Sequence, residues 1–181
     1  MVKNKKKILA ISGSTRQNST NYNLIKAIAE LSANNFDIEF FEGLTELPHF
    51  NPDNDSETVV KQVQDFRKQI REAEGVIICT PEYAMGLPGT LKNALDWTVS
   101  SCEFSKKPVM AITASSMGEK AHNSLVGTLE IIEAKTSPGL QLLISFAKTK
   151  ISNDKKITDK KTLHDVQFLI DNFVRIIEGK E

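Results

Sequence analysis

The residues best suited to chemistry near the start of the chain are hydroxyls grouped around one arginine: Ser12-Gly13-Ser14-Thr15-Arg16-Gln17-Asn18-Ser19-Thr20-Asn21. Ser14, Thr15, Ser19 and Thr20 supply hydroxyl donors, and the planar guanidinium of Arg16 suits a forked, charge-assisted contact with phosphate oxygens. An apolar run, Ile8-Leu9-Ala10-Ile11, precedes this stretch, and Leu24, Ile25, Ile28 and Leu31 follow at helical spacing. The stretch therefore reads as a strand-to-helix turn. Unpaired N–H groups at the start of a helix and the positive end of its dipole favour an anion there. The same residues also admit a plainer reading, in which Ser19, Thr20 or Asn21 only caps the helix and Arg16 is a solvated loop residue.

Two further loops carry candidate groups. Thr80-Pro81-Glu82-Tyr83-Ala84-Met85-Gly86-Leu87-Pro88-Gly89 is punctuated by prolines and glycines between an apolar run and a helical stripe. Such a loop brings backbone N–H groups toward a flat ligand, with Gly86 permitting close approach. Tyr83 and Met85 either offer polarizable surface to a ring system or fill space between loop and helix. Ser115-Ser116-Met117-Gly118-Glu119 suits ligand contact or ordinary turn chemistry equally. Glu82 is as well placed for a structural or subunit contact as for the ligand, since a carboxylate aimed at a ring disfavours negative charge on it. Trp97 lies off its helical stripe and covers either a core edge or a neighbouring subunit. Lys92, Asn93 and Asp96 face solvent or make local caps and pairs.

The elements that hold these loops are legible as alternation. Strand-like runs fall at residues 7–11, 38–41, 76–79, 109–114 and 142–146, each followed by a segment able to form a helix. Val59, Val63, Phe66, Ile70 and Ala73 make a second amphipathic stripe. Leu91, Ala94 and Leu95 make a shorter one, and Leu125, Leu129 and Ile132 another. Leu163, Val166, Ile170, Phe173 and Ile177 mark a long final helix after the polar stretch 152–161. The expectation is one domain over residues 1–181, a three-layer doubly wound α/β fold with five parallel strands in the flavodoxin-like order 2-1-3-4-5. In that order the loops after strands one, three and four converge at the carboxyl ends of the strands, where ligands bind.

Composition narrows the function. Twenty-three basic and twenty-three acidic residues balance, so no global field draws the chain to nucleic acid or acidic lipid. Lys3, Lys5, Lys6 and Lys7 read as a solvated basic tail. The opening residues lack the apolar core of a signal peptide and no run reaches the length of a membrane span, which leads to the expectation of a cytoplasmic protein with no membrane partner. Two cysteines and three scattered histidines give neither a disulfide framework nor metal-ligand spacing. No G-x-S-x-G elbow and no G-x-x-x-x-G-K-[ST] loop is present, which disfavours a serine hydrolase and an ATP-type phosphate loop.

Taken together, the motifs resemble the NAD(P)H-dependent FMN reductase family, a flavodoxin-like group that includes quinone, azo-dye and chromate reductases. Residues 13–21 match its G-S-x-R-x-x-S-x-N loop. Pro81-Glu82-Tyr83 with Pro88-Gly89-x-Leu91-Lys92-Asn93-Ala94-x-Asp96-Trp97 matches its second signature. Leu47-Pro48-x-Phe50-Asn51-Pro52-Asp53 and Ser115-x-x-Gly118 are similar to two more of its segments. The resemblance implies that Ser14, Arg16, Ser19 and Asn21, with Thr20 beside them, hold an FMN phosphate. It also implies that Pro81, Glu82, Tyr83, Ala84, Met85 and Gly86 and Ser115, Ser116, Met117 and Gly118 border the flavin ring. Two departures stand out: Ala84 replaces a polar residue usual in the family, and the paired glycines often found after the third loop are missing around Lys120 and Ala121.

The activity so implied is hydride transfer from NADH or NADPH to bound FMN and then to a quinone, azo, metal-oxyanion or free-flavin acceptor, in ping-pong order, with no catalytic side chain required. A homodimer or homotetramer is implied as well. The alternative is a flavodoxin-type electron carrier without nicotinamide turnover, against which the balanced charge argues, because such carriers usually dock through an acidic face. A phospho-acceptor receiver would want acidic residues where Ser12-Gly13-Ser14 stand.

Overall fold

The computed structural model describes residues 5–16, 18–56 and 58–180. Lys3 of the basic tail and Gln17 of the first loop lie outside the described residues. Five strands, β1 (Lys6–Ser12), β2 (Phe36–Phe40), β3 (Gly75–Thr80), β4 (Val109–Ala114) and β5 (Gln141–Ile144), form one sheet in the order β2-β1-β3-β4-β5. Every pairing is parallel. The helices are α1 (Thr20–Leu31), α2 (Lys61–Glu72), α3 (Gly89–Asp96), α4 (Glu119–Ile131), α5 (Ala147–Lys150) and α6 (Lys160–Ile177).

The strand sequences explain the layers. Side chains alternate between faces along a strand, and β3 and β4 are buried throughout because both faces are covered. Leu9, Ile11, Val76, Ile78, Val109 and Ala111 pack with Phe66 and Ile70 of α2, Leu91 and Leu95 of α3 and Leu125 of α4. On the other face Ile8, Ala10, Ile77, Cys79, Met110 and Ile112 pack with Leu24 and Ile25 of α1 and Ile170 and Phe173 of α6. Helices on both sides are what parallel crossovers require.

Register aligns the carboxyl ends. Ser12 pairs with Cys79, Thr80 with Thr113 and Ala114 with Ile144, so the loops that follow emerge from one edge of the sheet. Gly13 is needed where the first loop leaves β1, since a Cβ there would lie 2.5 Å from Thr80 Oγ1.

Some details depart from the sequence reading. The last strand ends at Ile144 rather than continuing to Phe146, because Phe146 adopts φ 54° and turns the chain into α5. Leu31 and Leu163 sit at the exposed margins of their stripes. Val59 precedes the helix it was grouped with, and Ala73 ends it. Within the polar stretch before α6, Ile157 pairs back with Ile151, just after α5, in an antiparallel bridge.

Candidate functional site

Ser19 fixes the start of α1. Its extended backbone makes it the N-cap, and its Oγ accepts from Tyr22 N–H at 3.4 Å, which leaves its own hydroxyl proton free to donate outward. Thr20 and Asn21 N–H groups at this helix start have no acceptor among the described residues. Ser14 Oγ accepts from Arg16 N–H at 3.5 Å, and Ser12 Oγ donates to the Ser14 carbonyl at 3.2 Å, so the loop is held by its own hydroxyls. The Arg16 guanidinium is exposed and has no acceptor among the described residues. Asn21 is tied inward instead: its Nδ2 donates to the Ala114 carbonyl at 3.2 Å and its Oδ1 accepts the Cys79 thiol at 3.2 Å. Burial pushes that thiol well above the ordinary range, so it stays protonated.

The second loop closes as a tight turn. Tyr83 and Gly86 exchange two backbone bonds of 3.0 Å each, and the residues between them, Ala84 and Met85, both take positive φ, 48° and 61°. This is the pattern of a type I′ turn made without glycine at its centre. Gly86 itself has ordinary φ, and a Cβ there would meet nothing closer than Tyr83 O at 4.0 Å, so the protein does not require its glycine. Within the 82–86 loop, Glu82, Tyr83 and Gly86 N–H are engaged; Ala84 and Met85 N–H have no acceptor among the described residues.

Glu82 joins the second loop to the third. Its N–H donates to Ser115 Oγ at 3.1 Å, while its carboxylate accepts from Gly118 N–H at 3.4 Å and Ala121 N–H at 3.0 Å. Gly118, at φ 97°, is the N-cap of α4 and offers no side chain, so the cap comes from Glu82. Of the two readings of Glu82, the structural one describes these contacts.

These pieces enclose a cavity of about 160 Å³. Ser14, Arg16, Ser19, Thr20 and Asn21 line it from the first loop, Pro81, Glu82 and Tyr83 from the second, and Ser115 and Ser116 from the third. Ala84, Met85, Gly86, Met117 and Gly118 lie outside this lining. Met85 and Met117 are largely exposed, at 70% and 64%. The cavity also includes Ala147 and Lys148, which the sequence reading missed because it ran the last strand past the turn that presents them. The winding order alone places a loop after β5 at this edge.

The segment before α2 is anchored from α3. Asn93 Oδ1 accepts from Phe50 N–H at 2.7 Å and its Nδ2 donates to the Pro48 carbonyl at 2.9 Å, which also accepts from Trp97 Nε1 at 2.8 Å. Trp97 is buried against Phe50, edge to face at 5.1 Å. It therefore covers a core edge, and Asn93 makes a long-range clamp rather than a local cap. Lys92 pairs with Asp96 on the same helix.

Among the described residues no group of His, Cys, Asp or Glu is arranged to hold a metal ion, and no helix is long and apolar enough to cross a membrane. A family model for NADPH-dependent FMN reductases matches residues 6–149. The chain belongs to this family. It is 32% identical over 183 residues to the NADH-dependent flavin reductase subunit 2 of Lactobacillus johnsonii, covering 95% of this chain and 97% of that protein. It is 28% identical over 180 residues to a 2-hydroxy-1,4-benzoquinone reductase of a Burkholderia species, covering 96% and 97%. The fold is shared with the flavoenzyme NAD(P)H:(acceptor) oxidoreductase of Paracoccus denitrificans, at TM-score 0.77 and 24% identity over 97% of this chain and 98% of that one. Membership in the FMN reductase family carries oxidoreductase chemistry on FMN, with NADH or NADPH as reductant.

The residues present fit that cofactor. An unpartnered guanidinium, hydroxyls on Ser14, Ser19 and Thr20, and free N–H groups at the start of α1 form a donor set without a competing free carboxylate, as a phosphate needs.

Proposed function

We propose that the cavity between the three loops holds FMN by its phosphate, and that the protein reduces small aromatic or otherwise redox-active acceptors at the expense of NADH or NADPH. The observation that carries this reading is the Arg16 guanidinium, which has no acceptor among the described residues, beside Ser14, Ser19 and Thr20 at the open end of α1. When bound, FMN supplies two-electron chemistry, with hydride received from the nicotinamide and delivered to a quinone, azo compound, metal oxyanion or free flavin.

The chain's own residues bind and orient. Ser14, Arg16, Ser19 and Thr20 fix the phosphate, while the Asn21 side chain holds α1 against the ends of β3 and β4 and so positions the helix start whose N–H groups face the ligand. The free N–H groups of Ala84 and Met85 are the donors that the second loop has left for negative charge on the ring. Glu82 is turned to α4, so its charge is compensated there. Tyr83, Ser115 and Ser116 border the ring on this reading, with Met85, Gly86, Met117 and Gly118 as its outer margin.

Nicotinamide and acceptor take turns at one open face, which gives parallel initial-rate plots. The protein is further proposed to work as a single domain in the cytoplasm, as a homodimer or homotetramer. The test is a visible spectrum of the purified protein, identification of the chromophore released on denaturation, and steady-state NAD(P)H oxidation with a quinone. A colourless protein that takes up no FMN overturns the reading. A yellow one that oxidises neither nucleotide reduces it to an electron carrier.

A further inference from the structure

We propose that Lys148, on α5, is a second cationic ligand of the FMN phosphate, completing the charge that Arg16 begins; the inference rests on the FMN reading above. Lys148 lines the same cavity as Ser14, Arg16, Ser19 and Thr20. It makes no ion pair or hydrogen bond through its ammonium group among the described residues.

Its place is fixed by backbone rather than by chance. Phe146 N–H donates to the Ser116 carbonyl and Ala147 N–H to the Ser115 carbonyl, both at 3.0 Å, which staples the start of α5 to the third loop. Ala147 is buried in the same apolar cluster as Leu24 and Ile25 of α1. Asn23 Nδ2 donates to the Ser152 carbonyl at 3.3 Å, which holds the segment after α5 beside the first turns of α1. Lys148 therefore emerges next to the helix start that Ser19 caps.

Charge gives the reason for two cations. A phosphate monoester carries about −1.5 to −2 near neutral pH. Arg16 offsets one unit and the start of α1 about half of another. The first loop holds no other cation among its described residues. The sole acid lining the cavity, Glu82, is occupied with Gly118 and Ala121. Those two terms leave up to about half a unit of negative charge, which Lys148 offsets.

The test compares wild type, Lys148→Gln, Lys148→Arg and Arg16→Ala by fluorescence titration with FMN and with riboflavin, which lacks the phosphate, at low and high NaCl. The expected result is an FMN Kd raised about fivefold by Lys148→Gln at low salt, with riboflavin binding unchanged. Lys148→Arg restores the affinity, and added NaCl shrinks the difference. Equal FMN Kd in wild type and Lys148→Gln, or equal loss for FMN and riboflavin, overturns the proposal. So does an effect confined to KM for NADPH, which would assign Lys148 to the nicotinamide's phosphate. If Arg16→Ala weakens FMN while Lys148→Gln is silent, only the Lys148 role falls; if wild type binds no FMN, both readings fall.

Discussion

Arg16 borders two cavities, the one of about 160 Å³ between the loops and another of about 400 Å³ toward β2, lined by Thr15, Tyr22 and Phe41 among others. Its side chain has room on either side and no acceptor among the described residues to hold it, so its contribution is spent on whatever anion arrives. Replacing Arg16 with Ala is expected to weaken FMN by about 1.5–3 kcal/mol, the range for a hydrogen bond to a charged group. Quenching of flavin fluorescence reads this directly, and riboflavin should bind the variant as it binds the parent. Asn21 belongs to the same motif but acts differently. Its amide partners, Cys79 and Ala114, lie 58 and 93 positions away in sequence. The gathering of Ser14, Arg16 and Ser19 at one cavity follows from local spacing and was legible for that reason, whereas the inward turn of the Asn21 side chain depends on which strand ends meet it.

Glu82 makes one element of three. Through Ser115, Gly118 and Ala121 it binds the turn at 83–86 to the start of α4, and no residue of α4 itself duplicates this cap. Replacing Glu82 with Ala leaves those N–H groups without their acceptor, with an expected loss of about 1–3 kcal/mol in urea unfolding. Glu82→Gln, which keeps one acceptor oxygen, should recover part of it. The prolines and glycines of this loop were legible as punctuation, but they did not locate the strained residues. Positive φ falls on Ala84 and Met85, where sequence preference for glycine or asparagine gives no signal. The end of β5 was obscured in a similar way: Ser145-Phe146 extends an apolar run, yet Phe146 leaves the strand to place α5 at the site.

Across the whole molecule, the alternation of apolar runs and stripes was enough to read the winding, because parallel neighbours need helical crossovers of one hand. The charged contact that secures the β2–α2 connection was not readable. Asp55 and Arg67 pair at 2.7 Å, both nearly buried, while Arg67 Nε donates to the Trp97 carbonyl at 2.8 Å and Ser100 Oγ donates to Asp55. Burial alone would raise the Asp55 carboxyl, but the Ser100 hydroxyl and Arg67 hold it below its ordinary value. A carboxyl lowered by folding stabilises the protein fully above its unfolded value, and that contribution is lost as pH falls through the folded one. Asp55→Ala should therefore cost about 3–5 kcal/mol at pH 7, by stranding Arg67, and the gap from wild type should narrow in acid urea titrations. The two sulfurs divide along the same inside–outside line, since Cys79 is sealed beneath the first loop and Cys102 faces solvent. A chromogenic disulfide reagent should consume one equivalent at once and the second only as the strands part, so the chain carries its own stopwatch for breathing, and saturating coenzyme should slow the hand.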